Sequence, residues 1–198
     1  MPAAGKSARP ILAPQDQMTI EEFLAFTQTR PDEERWELIE GAPIMNASPV
    51  EFHQLVAMNI GTFLMNEKQR LGATWLPMAG VGTRVPISPN SLPQPDVFVK
   101  AGPATGRAET EDALVLFEIL SPSNTKADQA WRRRVYASVP NCQHYVTVSL
   151  KAPEVTAYDR STLWAERTAS GLAATLELHA LGVTLPLADI YRYTQFGS

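Results

Sequence analysis

"ALVLFEILSPSN", residues 113–124, decides how this chain is read. Its first eight residues are almost all aliphatic, β-branched or aromatic, the composition of a strand covered on both faces at the centre of a sheet. Glu118 interrupts that run between Phe117 and Ile119. A carboxylate so placed cannot easily reach solvent, and burying its charge is costly unless it is paired, hydrogen-bonded or bound to a cation. A second acid in a similar setting stands at the head of "LPQPDVFVK", residues 92–100, where Asp96 follows Pro95 and precedes an apolar strand. Read singly, Asp96 is a turn residue after proline and Glu118 the partner of an arginine. If the two strands are neighbours, both acids converge at one edge of the sheet, where they repel unless a divalent cation lies between them. Hard oxygen ligands of this kind fit Mg²⁺ or Mn²⁺.

Composition narrows the setting. The chain has 198 residues, 44% of them hydrophobic, enough for one substantial core. Residues 1–17 read as a tail and 18–198 as one domain. The single cysteine, Cys142, excludes an intramolecular disulfide and a thiolate zinc cluster, which points to a reducing cytoplasm. No apolar stretch approaches the roughly 20 residues of a membrane helix, so no membrane partner is expected. With 17 basic against 21 acidic residues the net charge is −4, so any attraction for nucleic acid must be local. The candidate cluster is Arg132, Arg133 and Arg134, but consecutive helical residues point about 100° apart and cannot all face one ligand.

Outward from the two acids, the order of elements is legible. Thr19 with Glu22 forms a capping box that opens a short helix closed by Pro31. "RWELIEG" and "IMNA" read as a hairpin about Gly41. Ser48 as N-cap and Pro49 at the first position open a long helix to about Arg70, with Gly72 as its stop. The region 73–100 reads as short strands broken by Gly and Pro. After "SPSNTKAD", where the hydroxyls of Ser121-Pro122-Ser123-Asn124 are read as helix caps, a helix of about three turns leads to four further strands and a terminal helix at "PLADIYRY". The strand, helix, strand unit at 113–148 fits a parallel crossover.

Pro95-Asp96, then "LFEILSPSN", then Asp128, a basic residue and Tyr136 on the next helix, together resemble the Uma-type family of "putative restriction endonucleases" in the PD-(D/E)XK nuclease superfamily. "RWELIEGAPIMNASPVEFHQLV" is similar to that family's hairpin followed by a helix bearing His. The resemblance runs from about Met18 to Val148. It implies an α/β fold with a restriction endonuclease-like core: a mixed central β-sheet flanked by helices, with an N-terminal helix and hairpin. It further implies that Asp96 and Glu118, with the carbonyl of Ile119, bind Mg²⁺ or Mn²⁺ for hydrolysis of DNA phosphodiester bonds. The superfamily's lysine would stand two residues after the second acid, where this chain has Leu120. In the family that lysine has moved to the next helix, and Arg132 holds its place here. Arg keeps a cation at the site but does not readily release its proton, so the exchange is not conservative. Where relatives carry an acid before an aromatic pair, this chain has Gln143 in "PNCQHY".

Three further residues are candidates. Glu37 and Glu40 lie on opposite faces of the hairpin strand, so at most one points into the site; Glu40 beside the turn reads first as a surface acid and second as a ligand or water-positioning group. His53, early in the long helix, is placed to touch a phosphate or to brace the hairpin. Tyr136 reads as core. "GVGTRV" lacks the Lys-Ser/Thr of a phosphate loop, and no serine-nucleophile or zinc-protease motif occurs. Two functions follow: a metal-dependent nuclease acting as a homodimer, or a catalytically impaired relative that keeps the fold as a nucleic-acid or protein binding module.

Overall fold

The computed structural model describes residues 13, 16–31, 33–121 and 124–197. Most of the expected tail, and Pro122 and Ser123 of the loop after Glu118, lie outside the described residues. The elements in order are α1 (Ile20–Thr27), β1 (Arg35–Ile39), β2 (Ala42–Asn46), α2 (Glu51–Leu71), β3 (Leu76–Met78), β4 (Gly82–Thr83), β5 (Val97–Lys100), β6 (Glu109–Thr110), β7 (Ala113–Leu120), α3 (Lys126–Ala137), β8 (His144–Ser149), β9 (Glu154–Asp159), β10 (Ala165–Ser170), β11 (Thr175–Leu178), β12 (Val183–Pro186) and α4 (Leu187–Ile190).

Six of these strands form one sheet in the order β10-β9-β8-β7-β5-β3. β7 and β8 pair in parallel, joined over one face by α3, and the remaining neighbours pair antiparallel. The sheet separates two apolar layers. On one side Val97, Val115, Phe117, Ile119 and Val146 meet Val56, Ile60 and Leu64 of α2 and the β11–β12 hairpin. On the other, Phe98, Leu116 and Tyr145 meet Trp131, Val135 and Tyr136 of α3. Strand alternation therefore sends Glu118, like Leu116, toward α3. β7 is buried along nearly its whole length, as its unbroken apolar run requires.

The capping box at α1 forms with both reciprocal bonds, Glu22 N–H to Thr19 Oγ1 at 3.2 Å and Thr19 N–H to Glu22 Oε2 at 2.8 Å. α2 ends at Gly72 in the left-handed conformation. It begins later than the Ser48-Pro49 signal predicts: Val50 is the N-cap, and the first turn closes when Gln54 N–H donates to the Val50 carbonyl. α3 is capped by Thr125, whose Oγ1 accepts from Asp128 N–H, because Ser121 and Asn124 are engaged with each other. The C-terminal region holds a fifth strand, β12, which the short "VTLP" segment gave little sequence signal for.

The β1–β2 hairpin turns through Glu40 and Gly41, both with positive φ (50° and 80°), the two-residue geometry whose twist matches its strands. Gly41 accepts from Met18 N–H and donates to Asn90 O, and a Cβ there would stand 2.4 Å from Gln17 Cβ. Gly41→Ala is expected to cost roughly 1–3 kcal/mol through left-handed strain and this overlap. Gly61, mid-helix in α2, has nothing within 4 Å of its would-be Cβ. Gly61→Ala is expected to add roughly 0.5–1 kcal/mol. Urea denaturation of both variants checks the opposite signs, and equal effects would contradict the packing described here.

Candidate active site

Val97 pairs with Phe117 across β5 and β7, so continuing the ladder by one residue sets Asp96 opposite Glu118. Asp96 N–H donates to Phe117 O at 3.0 Å, and Asp96 Oδ2 accepts from Ile119 N–H at 2.7 Å. His53, in the first turn of α2, brings Nε2 to 3.3 Å from the same Oδ2. Thus Asp96, Glu118, Ile119 and His53 gather at the end of β7.

α3 supplies the next layer. Asp128, Arg132 and Tyr136 follow one another at intervals of four and share one helical face. The Arg132 Nη1 group donates to Glu118 Oε1 at 2.8 Å and to Glu37 Oε1 at 3.0 Å, Nη2 donates to Glu37 Oε2 at 2.7 Å, and Nε lies 3.4 Å from Asp128 Oδ2. Tyr136 O–H donates to Glu118 Oε1 at 2.7 Å. Arg132 and Glu37 are both buried, so this is an enclosed network rather than a surface pair. Glu37 is fixed further by Gln94 N–H at 2.7 Å and Asn46 Nδ2 at 3.0 Å.

One guanidinium cannot neutralise both buried glutamates. Burial opposes the charge of Glu37, but the Arg132 charge and the hydrogen bonds it receives prevail and hold its pKa below the usual carboxylate range. At Glu118 burial prevails over Arg132, and the negative charges of Asp96 and Glu37 add to it, pushing the pKa to about 8. Burial works against the Arg132 cation too, yet Glu118 and Glu37 keep it charged at any ordinary pH. Arg132 is therefore a fixed charge and not a proton carrier.

Two sequence candidates stand elsewhere. Glu40 occupies the turn outside the ladder, is exposed, and its Oε1 accepts from Trp131 Nε1. Glu37 is the hairpin acid that faces the site, because Trp36 and Leu38 turn toward α1 and leave Glu37 and Ile39 toward α3. Gln143 donates its N–H to Leu114 O, at the far end of β7 and about 13 Å along the strand from Glu118. Its side chain bonds Asn141 O. The parallel register of β8 with β7 imposes that separation. Tyr136, read from sequence as core, is both buried and part of the site. The four-residue spacing of Asp128, Arg132 and Tyr136 was the signal available for it.

As to a cation, Glu118 receives both of its hydrogen bonds on Oε1, and Asp96 both of its side-chain contacts on Oδ2. The other oxygen of each accepts no hydrogen bond from the described residues, and both are the hard donors that Mg²⁺ or Mn²⁺ takes. No group of three His, Cys, Asp or Glu side chains arranged for a metal occurs among the described residues, and Glu37 is turned onto Arg132. The pair with a backbone carbonyl is the donor set that fits.

The architecture is mixed α/β, a central mixed sheet flanked by helices. It is similar in fold to a crystal structure from Anabaena variabilis described as "a putative nuclease belonging to DUF820", with a TM-score of 0.68, 15% sequence identity, and coverage of 87% of this chain and 97% of that one. Residues 20–188 match the Uma2 family, described as "Putative restriction endonuclease", and the chain belongs to that family. No curated protein matches it. No helix among the described residues is long and apolar enough to cross a membrane.

Proposed function

We propose that this chain is a nuclease that hydrolyses DNA phosphodiester bonds with Mg²⁺ or Mn²⁺ held by Asp96, Glu118 and the Ile119 carbonyl oxygen. The observation that carries the reading is the pairing of Asp96 with Glu118 across β5 and β7, each with one oxygen left over. Bound there, the cation supplies Lewis acidity toward a phosphate oxygen. The chain's own part is orientation and charge. Ile119 N–H and His53 fix the Asp96 carboxylate, Tyr136 fixes Glu118, and Arg132 is a permanent positive charge beside them. Cutting both strands of a duplex needs two such sites, which a homodimer would provide. A reducing cytoplasm suits the buried thiol of Cys142.

The test is plasmid cleavage with Mg²⁺ and with Mn²⁺. Native protein is expected to nick, and Asp96→Ala and Glu118→Ala to fall by about 100-fold or more, as loss of a metal ligand would impose. Equal nicking by all three would mark a contaminant.

One observation favours a second reading, that of a binding module without catalysis. Arg132 stands 2.8 Å from Glu118, where it competes with a cation, and Leu120 leaves no lysine on the strand. Retention of duplex DNA in a gel shift, with no cleavage in either metal, would decide for it.

A further inference from the structure

The Glu37 side chain bonds Arg132, Gln94 and Asn46, residues that surround the proposed ligands. Both of its oxygens grip Arg132, at 3.0 and 2.7 Å, the bidentate geometry in which a guanidinium is most firmly oriented. Oε1 also accepts from Gln94 N–H, two residues before Asp96, and Oε2 from Asn46 on the partner strand of the hairpin. Arg132 meets Glu118 by a single bond from Nη1, the same nitrogen that Glu37 Oε1 holds. The guanidinium is thus shared unequally, two bonds to one acid and one to the other. Gln94 ties this clamp to the segment that carries Asp96.

We propose that Glu37 is the positioning residue of this site, confining the Arg132 guanidinium to a single bond with Glu118 Oε1 so that Glu118 keeps its other oxygen for a cation. This rests on the cation-site reading given above. Without Glu37 the buried guanidinium has Glu118 as its nearest remaining carboxylate, closes on it, and competes with any ion for it. Glu37 acts through Arg132, so its effect on the cation must vanish when Arg132 is removed as well.

Two measurements test this. In the first, native protein, Glu37→Gln and Glu118→Gln are melted in chelator. Glu37→Gln is expected to lower Tm by about 5 °C or more beyond the change in Glu118→Gln, since it removes the principal partner of a buried cation. An equal or larger loss in Glu118→Gln would overturn the proposal. In the second, Mn²⁺ binding is followed by electron paramagnetic resonance of the free ion. Glu37→Gln is expected to bind about 10-fold more weakly, and Glu37→Gln with Arg132→Met to return to within about 3-fold of native. A double variant as weak as the single one would mean that Glu37 contacts the ion or that the loss is general, and would overturn the proposal. If native protein binds no Mn²⁺, the cation-site reading is what fails, and the melting order alone decides the role of Glu37.

Discussion

Arg132→Met is expected to destabilise the protein by about 3–5 kcal/mol, the scale seen when one partner of a buried ion pair is removed. For a chain of this length that corresponds to a fall in Tm of roughly 10 °C. Methionine reproduces the aliphatic stem, so packing against Tyr136 and Trp131 changes little and the loss reports the charge. What remains is Glu37, buried, ionised beside its former partner, and left with one backbone N–H and one amide for its two oxygens. Glu118 keeps the Tyr136 hydroxyl and loses its single bond to the guanidinium. Most of the penalty therefore belongs to Glu37. Adding Glu37→Gln to Arg132→Met should return more than half of it, because the uncompensated charge of Glu37 is then gone. Urea denaturation of the two variants is the measurement. A loss below about 1 kcal/mol in Arg132→Met would show that the network contributes little to folding.

That network also shows where sequence stops being informative. The pairing of Asp96 with Glu118 is written in local terms: an apolar run broken by one acid, a second acid at the head of the adjoining strand, and a strand, helix, strand order that forces a parallel neighbour. His53 was legible as a residue placed to touch a phosphate or to brace the hairpin, but its contact with Asp96 came only from the way α2 lies on the sheet. The choice between Glu37 and Glu40 is different in kind. Their alternation was legible, but which face of the hairpin turns to α3 depends on α1 taking Trp36 and Leu38 on the other side, a contact between segments of no shared pattern. The location of Gln143 was hidden for a related reason. Only the register of β8 on β7 fixes whether its first or its last residues lie beside Glu118, and here Leu120 faces Ser149 while Gln143 meets Leu114. Arg132 was found as a cation near the acids. Its saturation by them was not, because that depends on Glu37.

The second large effect is on pH. In the absence of divalent ions, stability is expected to decline as pH rises from about 6.5 to about 8.5, the opposite of the usual behaviour of a carboxylate. The sign follows from Glu118, whose pKa of about 8 stands above its ordinary value of 4.5 because burial, and then Asp96 and Glu37, oppose its charge. Between those two values the folded protein keeps a proton that the unfolded chain has released, so ν is larger in the native state and stability has a negative slope. The contribution is whole below pH 4.5 and is lost as pH passes through about 8. His144 bends the acid side the other way. Burial holds its pKa below 6.5 despite Asp159 at 2.5 Å, and its Nε2 accepts from Ala180 N–H, a bond that protonation would break. Its stabilisation is whole above pH 6.5 and is lost as pH falls through its lowered folded value. The native profile is thus a dome, and the difference between native and Glu118→Gln isolates the alkaline limb. That limb should be missing from Glu118→Gln, and saturating Mn²⁺ should flatten it in native protein, because a cation takes over the role of the proton. An alkaline decline that persists unchanged in Glu118→Gln would show that Glu118 is already ionised in the resting protein, with Arg132 as its full counter-ion.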